Sequence, residues 1–155
     1  MKTSLLILFT CLLPMMPTSE VCAKKIILDE KKDFAVLSNY LSTQHNIKLN
    51  SDSTLIIMFS AFNCKGCISN SINNIGTLIN RFNKNIIVIS SNSTIKEEMF
   101  NKKISFYIDS EKRIDKLKFN IVNVGLFLTY KNELVKTFIL KTESEKESIT
   151  TFLNK

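Results

Sequence analysis

The sequence predicts an α/β protein built on a mixed central β-sheet with helices on both faces. Three observations carry that reading. Residues 54–60, TLIIMFS, form an apolar run rich in branched and aromatic residues, the pattern of a strand covered on both faces. Immediately after it, at Cys64-Lys65-Gly66-Cys67, the period becomes helical, and Ile68, Ile72, Ile75, Leu78, Ile79 and Phe82 fall on one stripe. Near the other end, two strand-like runs flank the polar turn Lys131-Asn132-Glu133, which makes them an antiparallel hairpin.

The 155 residues fit one domain, and a hydrophobic share of 45% supplies one core. Residues 1–23 read as a secretory signal peptide. Lys2 opens it, Ser4 to Leu13 form a short apolar stretch, and Val21-Cys22-Ala23 ends it as a small-residue cleavage site. The apolar stretch is far shorter than the roughly 18 to 20 residues of a membrane span. Lipoprotein anchoring through Cys11 or Cys22 is the alternative, although Thr10 and Val21 make poor lipidation boxes. The domain therefore runs from residue 24 to 155.

Within it, Asp29 offers a cap to a helix over Glu30 to Gln44 whose inner face carries Phe34, Leu37 and Leu41. His45, the single histidine, follows as a surface residue. A polar loop leads to the central strand and the helix after the cysteines. Asn85 to Ser90 is a second buried strand. Thr94-Ile95-Lys96-Glu97 forms a capping box for a short helix to Asn101, with Ile95 and Met99 facing inward. Ile104 to Ile108 is a short extended segment, and Ser110 caps a helix to Phe119 that buries Ile114 and Leu117. The hairpin strands are Val124 to Tyr130 and Leu134 to Leu140. A second capping box, Thr142 to Glu145, opens a final helix to Asn154 that buries Ile149, Phe152 and Leu153. Strands separated by helices run parallel through right-handed crossovers, and the hairpin adds antiparallel strands at one edge.

Cleavage after Ala23 reduces four cysteines to two, Cys64 and Cys67. So small a loop restrains little unfolded-chain entropy, so the pair reads as chemistry rather than as a staple. Its first thiol stands at the mouth of a helix, where the first-turn N–H groups and the helix dipole favour a thiolate. Lys65 adds positive charge and Gly66 lets the turn tighten.

With this order of elements and this motif, the chain resembles the thioredoxin-like superfamily, in particular its exported TlpA/ResA-like branch. The likeness covers Lys24 to the end. FSAFNCKGC, Phe59 to Cys67, stands where those proteins carry a strand ending in W-C-x-x-C, and FNIVNVGLFLTYKNELV, Phe119 to Val135, is similar to their cis-proline loop, strand, Lys-Asn turn and next strand. The resemblance implies a thioredoxin-like fold and a redox-active Cys64–Cys67 disulfide with no other cofactor. Cys64 would attack and Cys67 resolve. It implies that Val124 and Gly125 occupy the substrate-binding, cis-proline-loop position. Three features depart from the pattern: Gly125 replaces the cis-proline, Met58 replaces a buried carboxylate on the strand before the motif, and Asn63 replaces the tryptophan before the first cysteine.

The reading is an exported thiol–disulfide oxidoreductase of the periplasm or cell envelope. As a monomer it would exchange with thiols and disulfides of exported proteins and be recycled by a membrane redox partner. The alternatives are a non-catalytic thioredoxin-like binding module and a copper- or zinc-handling protein. Two cysteines supply only half of a structural zinc site, and no histidine follows them, so no metal is assigned. The net charge of +7 comes from lysines scattered along the chain rather than clustered in a stripe, which argues against nucleic acid as a partner. The glutamates at 97–98 and 143–147 sit in first turns, where negative charge suits the dipole, and read as caps.

Overall fold

The computed structural model describes residues 30–62, 65–140 and 152. The segment expected to be a signal peptide and the helix expected from Thr142 to Asn154 lie outside the described residues, except Phe152, which is buried in the core.

Helix α1 (Glu30–His45) precedes β1 (Thr54–Phe59), α2 (Lys65–Arg81), β2 (Asn85–Ser90), β3 (Ser105–Ile108), β4 (Val124–Tyr130) and β5 (Glu133–Leu140). The strands form one sheet in the order β3-β2-β1-β4-β5. β1 runs parallel to β2, which runs parallel to β3, whereas β4 is antiparallel to both β1 and β5. All six residues of β1 are buried, because the strand is central and both of its faces are covered.

Alternation along the strands divides the core in two. Leu55, Ile57 and Phe59 point to the face that receives Ile75, Leu78 and Ile79 of α2. Ile56 and Met58 point to the other, where Leu37, Tyr40 and Leu41 of α1 lie with Phe127 and Ile121. The sheet is thus mixed and carries a helix on each face, as the sequence predicts. α2 is finished by a side chain from elsewhere: the Lys102 ammonium donates to the carbonyls of Ile79, at 3.1 Å, and Phe82, at 2.6 Å. It satisfies carbonyls that a helix end leaves open.

The hairpin turn holds Lys131 and Asn132 at φ of 50° and 61°. Two successive left-handed residues match the twist of the strands they join.

Two expected helices are not formed. The first shrinks to a single 3-10 turn, Glu97–Met99, because the Asn92 side chain captures the amide and hydroxyl of Thr94, at 3.0 and 2.7 Å, before a capping box can close. Ile95 is buried as expected, but Met99 is exposed and Phe100 takes the inward place. The second shrinks to the turn Ile114–Lys116. Its organiser is Asp109 rather than Ser110: the Asp109 carboxylate accepts from the Ile114 amide at 2.7 Å, and its carbonyl accepts from the Lys112 amide at 3.1 Å. Lys112 and Asn120, with φ of 54° and 51°, bend the chain out of helical continuation on either side.

Candidate functional site

β1 ends at Phe59 and α2 begins at Lys65, the residue after Cys64 in sequence. Lys65, Gly66 and Cys67 therefore form the first turn of α2, while Asn63 and Cys64 lie outside the described residues. Val124 and Gly125 open β4, paired with Phe59 and Met58 at the end of β1. The segment expected to face substrate thus lies beside the strand that leads into the cysteines.

Gly125 is not there for an unusual backbone angle: no glycine has a positive φ, and no cis peptide occurs among the described residues. What it supplies is space. A Cβ at this position would stand 2.8 Å from a ring carbon of Phe127 and 3.1 Å from Cδ1 of Ile121. Met58, where the resemblance expects a carboxylate, is fully buried among apolar side chains.

A carboxylate nevertheless reaches the segment before the cysteines, from a different part of the chain. The Ser60 hydroxyl donates to Oδ1 of Asp115 at 2.7 Å, and the Ala61 amide donates to the same oxygen at 3.3 Å. The Phe62 amide in turn donates to the Ser60 hydroxyl at 3.1 Å. Asp115 Oδ2 is buried and has no hydrogen-bond partner. Backbone bonds complete the scaffold: the Ser60 amide donates to Asn123 and the Ser91 amide to Phe59, at 3.0 and 2.9 Å. The entry to the cysteine pair is thus held from three sides, while Phe62 itself is 75% exposed. Val122, on the neighbouring segment, is exposed as well.

Beyond this lies a second polar group at the C-terminal ends of the parallel strands. Asp109, buried, accepts from the Ser91 hydroxyl at 2.9 Å and from Ile114. The hydroxyl of Tyr40 lies near it, 3.1 Å from Nε2 of His45. Burial pushes the Tyr40 pKa far above the ordinary phenol range, and the charge of Asp109, its hydrogen bond and the charge of Asp115 add to the effect. Burial lowers the His45 pKa, against an opposing pull from Asp109. His45 is therefore not the free surface residue the sequence suggests. Its ring packs between Tyr40 and Tyr107, with centroids at 5.3 and 5.6 Å.

Sequence reasoning missed Asp115, Ser60, Asp109 and Tyr40. Asp115 is the lone acid between Arg113 and Lys116, and only its spacing from the buried Ile114 and half-buried Leu117 hints that it sits on a packed turn. Among the described residues, no group of three or more His, Cys, Asp or Glu side chains is placed to hold a metal ion, and no helix is long and apolar enough to cross a membrane.

No family model matches the chain, and no curated protein matches it. Among solved structures, the chain is similar to StoA from Bacillus subtilis, with 15% identity and a TM-score of 0.42 over 66% of this chain and 84% of that one. The fold itself is α/β and thioredoxin-like: a buried central strand runs into a C-x-x-C helix, with a parallel strand on one side and an antiparallel hairpin on the other.

Proposed function

We propose that the protein is an exported thiol–disulfide oxidoreductase whose reacting groups are Cys64 and Cys67. The observation that carries this reading is the placing of the C-x-x-C at the junction of the central strand and α2, with Lys65 to Cys67 in the first turn of that helix. Four amides of a first turn have no partner within the helix, and together with the dipole they stabilise a thiolate at its mouth.

In the reducing direction, the Cys64 thiolate attacks one sulfur of a partner disulfide. An S–S bond forms between Cys64 and the partner, and the partner's other sulfur leaves as a thiolate. Cys67, once deprotonated, attacks Cys64, closes the Cys64–Cys67 disulfide and releases the second partner thiolate. Two electrons have passed to the partner, whose thiolates take up the protons. The same steps reversed oxidise a partner dithiol. Val124 and Gly125, beside the end of β1, would lie along the bound chain, and exposed Phe62 offers it an apolar contact. The partners are thiols and disulfides of other envelope proteins, with a membrane redox partner restoring the working state of the monomer.

The test is site-resolved alkylation of the full chain against pH, read by peptide mass spectrometry, with equilibration in glutathione. The proposal expects Cys64 to react with a midpoint below about 7.5 and the pair to equilibrate reversibly. A pair that is unreactive and never equilibrates would make the chain a thioredoxin-like binding module instead.

A further inference from the structure

We infer that Asp115 is a positioning residue for the cysteine pair and the fixed negative charge against which Cys64 ionises. This deepens the thiol–disulfide reading and rests on it. The positioning follows from the bonds made by Oδ1, which fix the Ser60 hydroxyl and the Ala61 amide and, through that hydroxyl, the Phe62 amide. Three consecutive residues of the segment entering the motif are thereby tied to one side chain on the Ile114–Lys116 turn. Without that tie the segment leading to the motif would lose the two bonds that anchor Ser60 and Ala61.

The electrostatic part follows from chain reach. Cys64 is three residues from Ala61, so their Cα atoms are separated by at most roughly 11 Å. The Asp115 carboxylate touches Ala61 and its other oxygen is buried without a hydrogen-bond partner, so no bonded cation or donor neutralises that side. A negative charge at this range opposes formation of a second one on sulfur. The dipole of α2 and Lys65 favour the thiolate, and Asp115 works against them. Its effect is to temper the nucleophile and to hold the pair more reducing than the helix alone would make it. This charge lies on the Ile114–Lys116 turn, a different element from the strand carboxylate that Met58 replaces.

The experiment compares the full chain with Asp115→Asn and Asp115→Ala by site-resolved alkylation across pH and by amide hydrogen exchange at Ala61 and Phe62. The asparagine keeps an oxygen that accepts both hydrogen bonds and removes only the charge. Its Cys64 midpoint is expected to fall by about one pH unit, the size of a unit-charge interaction near 10 Å at an effective dielectric of about 20. Its exchange protection at Ala61 and Phe62 should be retained, whereas Asp115→Ala should lose that protection. An unchanged midpoint in Asp115→Asn, with protection intact, overturns the electrostatic role, and unchanged protection in Asp115→Ala overturns the positioning role. If Asp115→Asn does not fold, Asp115→Ser, whose hydroxyl accepts from the same donors, takes its place. A wild-type pair that never equilibrates with glutathione would sink the oxidoreductase reading, while the alkylation midpoints would still decide the role of Asp115.

Discussion

The hydroxyl of Tyr40 lies 3.1 Å from Nε2 of His45, and the charge of nearby Asp109 helps to push its pKa up. A phenol and a neutral imidazole each carry one donor, so the direction of the Tyr40–His45 bond follows the tautomer of His45. A neutral, half-buried histidine is thus held in place at the end of α1 by the far ends of β2 and β3.

That arrangement makes stability depend on pH with a definite sign. The folded-state pKa of His45 lies below its unfolded value, chiefly through burial. The unfolded chain therefore binds the proton first, and the contribution of neutral His45 is complete above the ordinary histidine pKa of about 6.5 and declines as pH falls toward the lowered value. Urea titrations from pH 7.5 to 5 should show the wild type losing stability faster than His45→Gln. Parallel curves would remove His45 from the account.

Tyr40→Phe keeps the ring against His45 and deletes the hydroxyl. Nε2 of half-buried His45 then loses its partner, and the substitution should cost about 1 to 3 kcal/mol in chemical denaturation. The cost should exceed that of removing an exposed hydroxyl such as that of Tyr130, which is 43% exposed.

Gly125→Ala places a methyl group 2.8 Å from the Phe127 ring, itself fully buried beside Phe119 with ring centroids at 4.9 Å. Both rings are buried. We expect a loss of about 1 to 3 kcal/mol, the usual cost of overpacking a core. Adding Ile121→Val, which removes a methyl group from the other close neighbour, should recover part of that loss, and the pair is near enough to couple in a double-mutant cycle.

Lys102→Met preserves the aliphatic stem and removes the charge that closes α2. Two charge-assisted hydrogen bonds to Ile79 and Phe82 disappear. A destabilisation of about 1 to 3 kcal/mol is expected, with faster amide exchange confined to the last turn of α2.

The three central strands were legible in the sequence because their signal is local and most of their residues are buried. Asn85 to Ser90 and Val124 to Tyr130 occur with the boundaries expected, and the apolar run at 54–60 occupies the centre of the sheet. The two lost helices show where local reading stops. Each had a plausible cap, yet an acceptor upstream, Asn92 in one case and Asp109 in the other, claimed the amides first. The strand before the C-x-x-C and the helix after its first cysteine were legible for the same local reason. Asp115 was not, because its partner Ser60 is fifty-five residues away and nothing in either neighbourhood points to the other.

The central strand draws its two neighbours from very different distances along the chain: Thr54 pairs with Asn85 on one side and with Thr129 on the other. While the polypeptide is being made, the β1–β2 pair can assemble early, but the opposite edge of a strand that is apolar from Leu55 to Phe59 stays open until the hairpin emerges. The nascent chain therefore passes through a stage in which its stickiest segment has one unprotected side, available to any extended peptide. Whatever accompanies the newborn chain has to shield that edge until residue 130 is out.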